Sequence, residues 1–439
     1  MSVATIVSQS TPSGFSAIAV IRLSGPKAIE IAQKLSKNNK PFKHRTAQIR
    51  KIFSEKSLID KAVFTAFLSP ESYTGEDVVE VSCHGNIHIC ETTINEIVKL
   101  GARIAEPGEY TRRAFVNGKL NLVQAESIVQ LINAKSVEAV KHQTRNIDGG
   151  ITDKIKELKE SLISILAYME YELDVSEEVF LDPKTLKKVK KTVKDNLKTA
   201  KSMCNTFDQG GALSYGVKVA FVGKPNVGKS TLVNKILGIE KSIISNVPGT
   251  TRDTISTETT IGGIPTTLVD TAGIHLSENE IEKEGIKRSF KEIKSADLVV
   301  LLFCDGVEVV DINEDIEKIF VYNKIDLQPY TGEDRKVVPI SASTGQGITS
   351  LVKQIRKRLG LLKANAAEPL ITTIRQKSAM EKVSTSLSKT LKLLGENVEE
   401  IELPAQEVRN AINNIDLFTG KTTTNDVLDQ VFSTFCVGK

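Results

Sequence analysis

Tryptophan is absent from this chain and aromatic residues make up only 5% of it, so a stacking platform for single-stranded nucleic acid is not expected. The five cysteines, Cys83, Cys90, Cys204, Cys304 and Cys436, are odd in number and scattered. That excludes a disulfide framework and points to reduced thiols in a cytoplasmic compartment. Long apolar runs are missing too: the longest, Leu298 to Cys304, is far too short to span a bilayer and reads as a buried parallel strand. The first ten residues, MSVATIVSQS, lack a basic start and a long apolar core, so no secretory leader is expected. Nor does one sign of charge dominate. With 58 Lys+Arg against 54 Asp+Glu the net charge is +4, weak grounds for a polyanionic partner.

What is present is enough for several cores. At 439 residues with 40% hydrophobic content, a prior near 150 residues per domain suggests about three domains. The expected class is multidomain α+β and α/β. Residues 1–118 mix candidate strands (SAIAVIRL, KAVFTAFL, DVVEVSC) with candidate helices (PKAIEIAQKLS, NIHICETTINEIVKLG). Residues 119–210 are helical by period, residues 211–362 alternate strand and helix, and residues 363–439 return to helix. DQGGALSYG, Asp208 to Gly216, and LLKANAAEP read as linkers. The two helical segments are expected to pack as one domain around an inserted one, whose ends must lie close together. Within the first segment Leu186, Val189, Val193 and Leu197 form an apolar stripe, and Lys187, Lys191, Lys194, Lys198 and Lys201 fall on another face. That face would hold RNA, although solvated helix surface is the commoner explanation. Cys83, His84, His88 and Cys90 invite a zinc reading. Against it, neighbours on a strand face opposite ways and no paired CxxC spacing is present.

Between Gly223 and Asp326 four short motifs occur in order: GKPNVGKS, GTTRD, DTAG and NKID. The first lies between an apolar strand (KVAFVG) and a helix, the context a P-loop requires. Its glycines let backbone N–H groups turn inward on phosphates at a helix N-terminus. Asn226, Val227, Gly228, Lys229, Ser230 and Thr231 are therefore candidate nucleotide contacts, with Lys229 on the β- and γ-phosphates and Ser230 on magnesium. Ser245, Asn246, Val247, Pro248, Gly249, Thr250 and Thr251 form the next candidate loop. Asp270 would hold magnesium through water, followed by Thr271, Ala272 and Gly273, whose amide would sense the γ-phosphate. Asn323, Lys324 and Asp326 follow an apolar strand, and Asp326 would accept two hydrogen bonds that guanine offers and adenine does not. Ser341 and Ala342 would close on the guanine O6. The ligand implied is GTP with Mg2+.

Outside that stretch, IRLSG (Ile21 to Gly25), SYTGEDVVEVSCHG (Ser72 to Gly85), AEPGEYTRRAFVNGKLNLVQAE (Ala105 to Glu126) and the terminal FCVGK resemble the MnmE (TrmE) family of tRNA-modification GTPases over essentially the whole length. The resemblance implies an inserted Ras-like G domain, a discontinuous helical domain, and an N-terminal domain that binds 5-formyl-tetrahydrofolate or a related one-carbon folate and dimerises. It implies a cytoplasmic homodimer acting on tRNA with an FAD- and NADH-dependent partner, MnmG, to place an aminomethyl or carboxymethylaminomethyl group on a wobble uridine. The family's folate contacts match Arg22, Glu80, Lys119 and Lys439. Arginine and lysine suit the two carboxylates of a folate's glutamate tail, and a carboxylate suits the pterin edge.

The resemblance also bears on hydrolysis. No arginine finger is identifiable, and His275 stands two residues after DTAG, where an arginine is common in the family. In the family the P-loop asparagine, here Asn226, helps bind K+ together with positions matching Ser245, Val247 (backbone) and Thr250, while Thr251 completes the magnesium shell. A cation there would neutralise charge developing on the β–γ bridge. The water-orienting carboxylate matches Glu282, with Glu278, Glu280 and Glu284 as competitors from the residues alone. Such a group would act when two G domains meet. Cys436 beside Lys439 is a candidate nucleophile or a packing residue. After FCDG only VEVVDINEDIEK separates two strands, so any helix there is short or missing. The alternative reading is a potassium-dependent regulatory or ribosome-assembly G protein without covalent chemistry.

Overall fold

The computed structural model describes residues 4–55, 57–175, 183–239, 255–270, 293–307, 309, 312, 316–332, 334, 336–359, 369–395 and 401–438. They fall into two compact units, Met1–Val129 with Ile415–Lys439, and Gln130–Asn414.

The first unit is built on a sheet of β1 (Ile6–Gln9), β2 (Ser16–Ser24), β3 (Ala47–Ser54), β4 (Ser57–Phe67), β5 (Val78–Gly85) and β6 (Arg103–Ile104), in the order β3-β4-β5-β2-β1-β6. All pairs are antiparallel except β1 with β6. The period of two sorts the side chains. On β2 Ala19, Ile21 and Leu23, and on β5 Val79, Val81 and Cys83, enter one core with α1 (Ala28–Leu35) and α2 (Ile87–Lys99). Ala28, Ile31, Ala32 and Leu35 recur at helical spacing and are all buried. Each fully buried aliphatic side chain there contributes about 1.5–3 kcal/mol. Arg22 and Glu80, on the alternate positions, are left for the opposite face. There α3 (Glu109–Val116) lies, with α4 (Leu122–Ile132) next in the chain.

In the second unit come the helices α5 (Val137–Ile147), α6 (Gly150–Val175), α7 (Pro183–Cys204) and α8 (Phe207–Tyr215). The expected linker at 208–216 is therefore helix almost to its end. Its glycine serves packing: a Cβ on Gly210 would stand 2.1 Å from the Ile371 carbonyl oxygen, so the residue permits a close approach. Ala212 and Leu213 join Ala139, Val217, Ile264 and Leu370 in a small core. Only Gly216, with φ +81°, behaves as the break that was expected. The second expected linker lies mostly outside the described residues.

A second sheet follows one residue later, from β7 (Val217–Val222), β8 (Ile255–Ile261), β9 (Ile264–Asp270), β10 (Leu298–Phe303), β11 (Lys318–Tyr322) and β12 (Val337–Pro339), with α9 (Lys229–Ile239) and α10 (Ile348–Arg358). The order is β12-β11-β10-β7-β9-β8, parallel throughout except for the β8–β9 hairpin. Leaving β7, the chain builds first on one side and then on the other, which makes the carboxyl end of β7 the switch point where open sheets bind ligands. Val299 to Leu302 are buried on both faces, as expected of a parallel strand. Helices α11 (Ile374–Leu393), α12 (Glu402–Thr419) and, in the first unit, α13 (Asn425–Ser433) complete the described elements.

Candidate functional sites

The loop from Gly223 to Ser230 occupies that switch point. It needs two unusual backbone states: Asn226 adopts φ +61° at the exposed apex, and Gly228 adopts φ +95°. A Cβ on Gly228 would meet Asn323 Nδ2 at 2.4 Å, and one on Gly223 would meet the Leu302 carbonyl at 2.4 Å. These glycines let the loop fold tightly over the sheet ends. Lys229 is buried and donates from Nζ to the Gly223 and Lys224 carbonyls at 2.8 and 3.1 Å. Burial pulls its pKa below the ordinary lysine value, and the negative charge of Asp270 opposes that pull. A desolvated cation held by two carbonyls is ready for a more negative partner.

Asp270, the last residue of β9, is 5% exposed and accepts a 2.6 Å hydrogen bond on Oδ2 from Ser230 Oγ. Its Oδ1 is buried without a partner. An orphaned carboxylate oxygen beside a hydroxyl suits a magnesium ion that keeps several of its waters, so the residues present fit that group.

Asn323 ties the site together. Its Nδ2 donates to the Val227 carbonyl at 2.7 Å, and its Oδ1 accepts from the Ala342 amide at 2.9 Å. One side chain thus holds the phosphate loop and the Ser341–Ala342 loop in register. Lys324 adopts φ +69°, a turn that leaves Asp326 exposed beyond it. Hydrogen bonds from Ser341 and Ser343 hold the Asp326 carboxyl below the usual aspartate value, the first being the larger cause. Ser341 itself is fully buried. Of the remaining expected contacts, Ser245 to Thr251, Thr271 to Gly273 and the carboxylates Glu278 to Glu284 lie outside the described residues.

A second polar cluster stands on the first sheet. Arg22 and Glu80 are register partners on β2 and β5, and Arg22 donates from Nε and Nη2 to Glu80 Oε1 at 3.0 and 2.8 Å. The guanidinium also lies 5.8 Å from the Tyr73 ring centre and 5.6 Å from that of Tyr110. Its Nη1 reaches the Gly438 carbonyl at 3.3 Å, as does Ser10 Oγ. The penultimate residue of the chain is therefore docked against β1 and β2. Gly438 adopts φ +105°, and a Cβ there would lie 2.5 Å from the Gln9 carbonyl. Phe432 and Phe435 anchor the tail on Phe115, Leu122 and Leu428. Lys119 runs along the same 72–76 loop that carries Tyr73, with its Cε 3.2 Å from where a Gly75 Cβ would sit.

Three expected folate contacts thus share this neighbourhood, and Lys439 lies one residue beyond the described chain. Tyr73, Tyr110 and Gly438 had no chemical signal in the sequence. Cys436 is exposed while Phe435 is buried, so packing is not what the thiol does.

The zinc reading falls. Cys83 and Cys90 are buried in the core, where burial pushes the Cys83 thiol up to about 12, whereas His84 points away and meets Asp60 at 2.8 Å. No group of three metal-capable side chains occurs among the described residues.

Residues 5–119 match the GTP-binding protein TrmE N-terminus and residues 122–436 match the MnmE helical domain. Over 456 residues the chain is 38% identical to the tRNA modification GTPase MnmE of Fervidobacterium nodosum, covering 99% of this chain and 97% of that relative. The chain belongs to the MnmE family. The same enzyme of Thermotoga maritima is 38% identical over 99% of this chain and 100% of its own, and that of Aquifex aeolicus 36% over 99% of each. MnmE membership gives the long idiosyncratic strings a place: they supply the Tyr73 loop, α3 and the tail that surround Arg22.

Proposed function

We propose that this MnmE-family protein hydrolyses GTP in the course of tRNA wobble-uridine modification. The observation that carries the reading is the hydrogen bond from exposed Ser230 to buried Asp270, whose other carboxylate oxygen is spare, at the mouth of a phosphate loop coupled through Asn323 to the Ser341–Ala342 loop. Loop amides and Lys229 bind the β- and γ-phosphates, Lys229 giving up its two carbonyls for them. Asp326 accepts from guanine N1 and N2. A magnesium ion held by Ser230, Thr251 and, through water, Asp270 would neutralise charge on the phosphate oxygens. K+ held by Asn226, Ser245, Val247 and Thr250 would add positive charge at the β–γ bridge, the service an arginine finger gives elsewhere. Glu282 orients the water that attacks the γ-phosphorus while the bond to the bridging oxygen breaks, and meeting of two G domains in a homodimer brings it into place.

The Arg22 cluster is read as the site for 5-formyl-tetrahydrofolate. Both Arg22 contacts fall on Glu80 Oε1, so Oε2 is the oxygen that would accept from a pterin edge. Arg22, Lys119 and Lys439 would take the carboxylates of the glutamate tail. The protein works in the cytoplasm with an FAD-dependent MnmG-type partner to install an aminomethyl or carboxymethylaminomethyl group. Among the described residues no helix is long and apolar enough to cross a membrane.

The test is the wobble-uridine content of tRNA from cells lacking the protein, joined to calorimetry with 5-formyl-tetrahydrofolate and turnover in K+ against Na+. Unaltered tRNA would overturn the modification role. Equal turnover in both salts would remove the potassium assignment, and no folate heat the folate one.

A further inference from the structure

Neither site uses the lysine face of α7. This helix carries eight lysines and one aspartate, a local excess of +7 in a chain whose total is +4. The rest of the protein is therefore slightly acidic, and the basic charge is concentrated on one element.

On α7 one face enters the core and another faces solvent, with Leu186, Lys190 and Leu197 half-buried between them. Val189, Val193, Ala200 and Met203 are buried, whereas Lys187, Lys188, Lys191, Lys194, Lys198 and Lys201 are exposed. None of these six ammonium groups has a carboxylate partner among the described residues. From Lys187 to Lys201 the stripe runs about 21 Å, at 1.5 Å per residue. Neighbouring α6 shows what an ordinary solvated face does: Lys156 pairs with Glu160 one turn on, and acids alternate with bases. On α7 the one-turn neighbours are like charges, Lys187 with Lys191 and Lys194 with Lys198, each such pair costing about 0.2–0.5 kcal/mol. Asp195, one turn from Lys191 and from Lys198, is the one carboxylate on the helix and offsets only part of that repulsion, whereas an external polyanion would offset the rest.

The kind of polyanion follows from what else the helix has. Its apolar face is packed in the core and is not available to enter a bilayer, which disfavours a lipid surface. It bears no aromatic residue, so it offers bases no stacking surface and reads phosphates only. We infer that the lysine face of α7 is a docking surface for the phosphate backbone of RNA. This rests on the proposed action on tRNA and adds where the RNA is held.

The experiment uses the full-length protein with Lys187, Lys191, Lys194 and Lys198 all changed to Gln, and a second variant with all four changed to Arg. Binding of a tRNA transcript is followed by fluorescence anisotropy from about 50 to about 200 mM salt. The Gln variant should lose tenfold or more in affinity, and its log–log salt slope should be shallower by about 3, at roughly 0.7–0.9 for each phosphate no longer neutralised. The Arg variant should retain both affinity and slope, and GTP hydrolysis without RNA should stay at the wild-type rate in each.

An unchanged slope in the Gln variant overturns the assignment, as does an Arg variant that binds as poorly as the Gln one. Preference for anionic lipid vesicles or polyglutamate over RNA at equal salt overturns it too. If an unrelated RNA hairpin binds through the same lysines, the surface stands whether or not the modification reading does. If tRNA modification depends on the protein while these substitutions leave RNA binding intact, the function stands and the surface falls.

Discussion

The phosphate loop and the Arg22 cluster hold their polar groups in opposite conditions. At the loop a buried carboxylate oxygen has no partner and a buried lysine rests on two carbonyls. At the cluster Arg22 already has a carboxylate, a carbonyl and two rings. A ligand for the first completes unmet demands, whereas a ligand for the second must replace or share interactions that exist. The loop should therefore bind with affinity set by what it gains, and the cluster with affinity reduced by what it gives up.

The contrast can be tested at single residues. The largest effect is expected at the guanine arm: Asp326→Asn should lower GTP affinity about 100- to 1,000-fold and confer xanthine-nucleotide binding, because buried or directed hydrogen bonds discriminate strongly. Nucleotide titrations that leave GTP binding unchanged would remove Asp326 from the site.

Next comes acid stability, which should separate the two units. Burial holds His142 of α5 down at about 4 from an ordinary 6.5, against a hydrogen bond to the Leu370 backbone. The unfolded chain takes up this proton first, so stability of the nucleotide-bearing unit falls as pH drops from 6.5 to 4, by about 3 kcal/mol at most. In the first unit burial raises Glu109, but hydrogen bonds from Arg103, the Glu106 amide and Arg113 outweigh it and leave the carboxyl below the usual range. Its contribution is complete above the ordinary glutamate value and is lost only as pH falls through the lower folded one. Acid unfolding followed by separate probes should therefore show the second unit weakening first, and His142→Gln should abolish the lead.

A smaller effect belongs to the tail. Gly438→Ala forces a Cβ onto the Gln9 carbonyl at a positive φ and should weaken folate binding about tenfold, with GTP turnover untouched. Equal folate affinity would detach the tail from the cluster. Smallest of all, Lys135→Ala breaks an exposed 2.6 Å ion pair with Glu258 and should change stability by less than about 1 kcal/mol in thermal melts.

The same contrast explains what the sequence disclosed. The phosphate loop, Asp270 and Asp326 stand in chain order at the ends of β7, β9 and β11, so spacing alone picks them out as candidates. Strand alternation likewise makes Arg22 and Glu80 legible as neighbours once β2 and β5 pair. Nothing in spacing brings Gly438 to Arg22, because the docking depends on α13 packing its Phe432 on α3. Spacing makes Asn323 a candidate nucleotide contact but does not disclose it as the bridge between two loops, since that role is set by side-chain geometry. The stretch at 208–216 misled because glycine is read as freedom, while at Gly210 it serves proximity.

That last residue bears on how such proteins can be rebuilt. Exchange of the nucleotide module between relatives invites a cut at the glycine pair 210–211, which would part Ala212 and Leu213 from Ala139 and Leu370 and leave half of α8 on each side. A chimaera joined at Gly216 instead would keep α8 with its packing partners, and the break would fall where the backbone already turns.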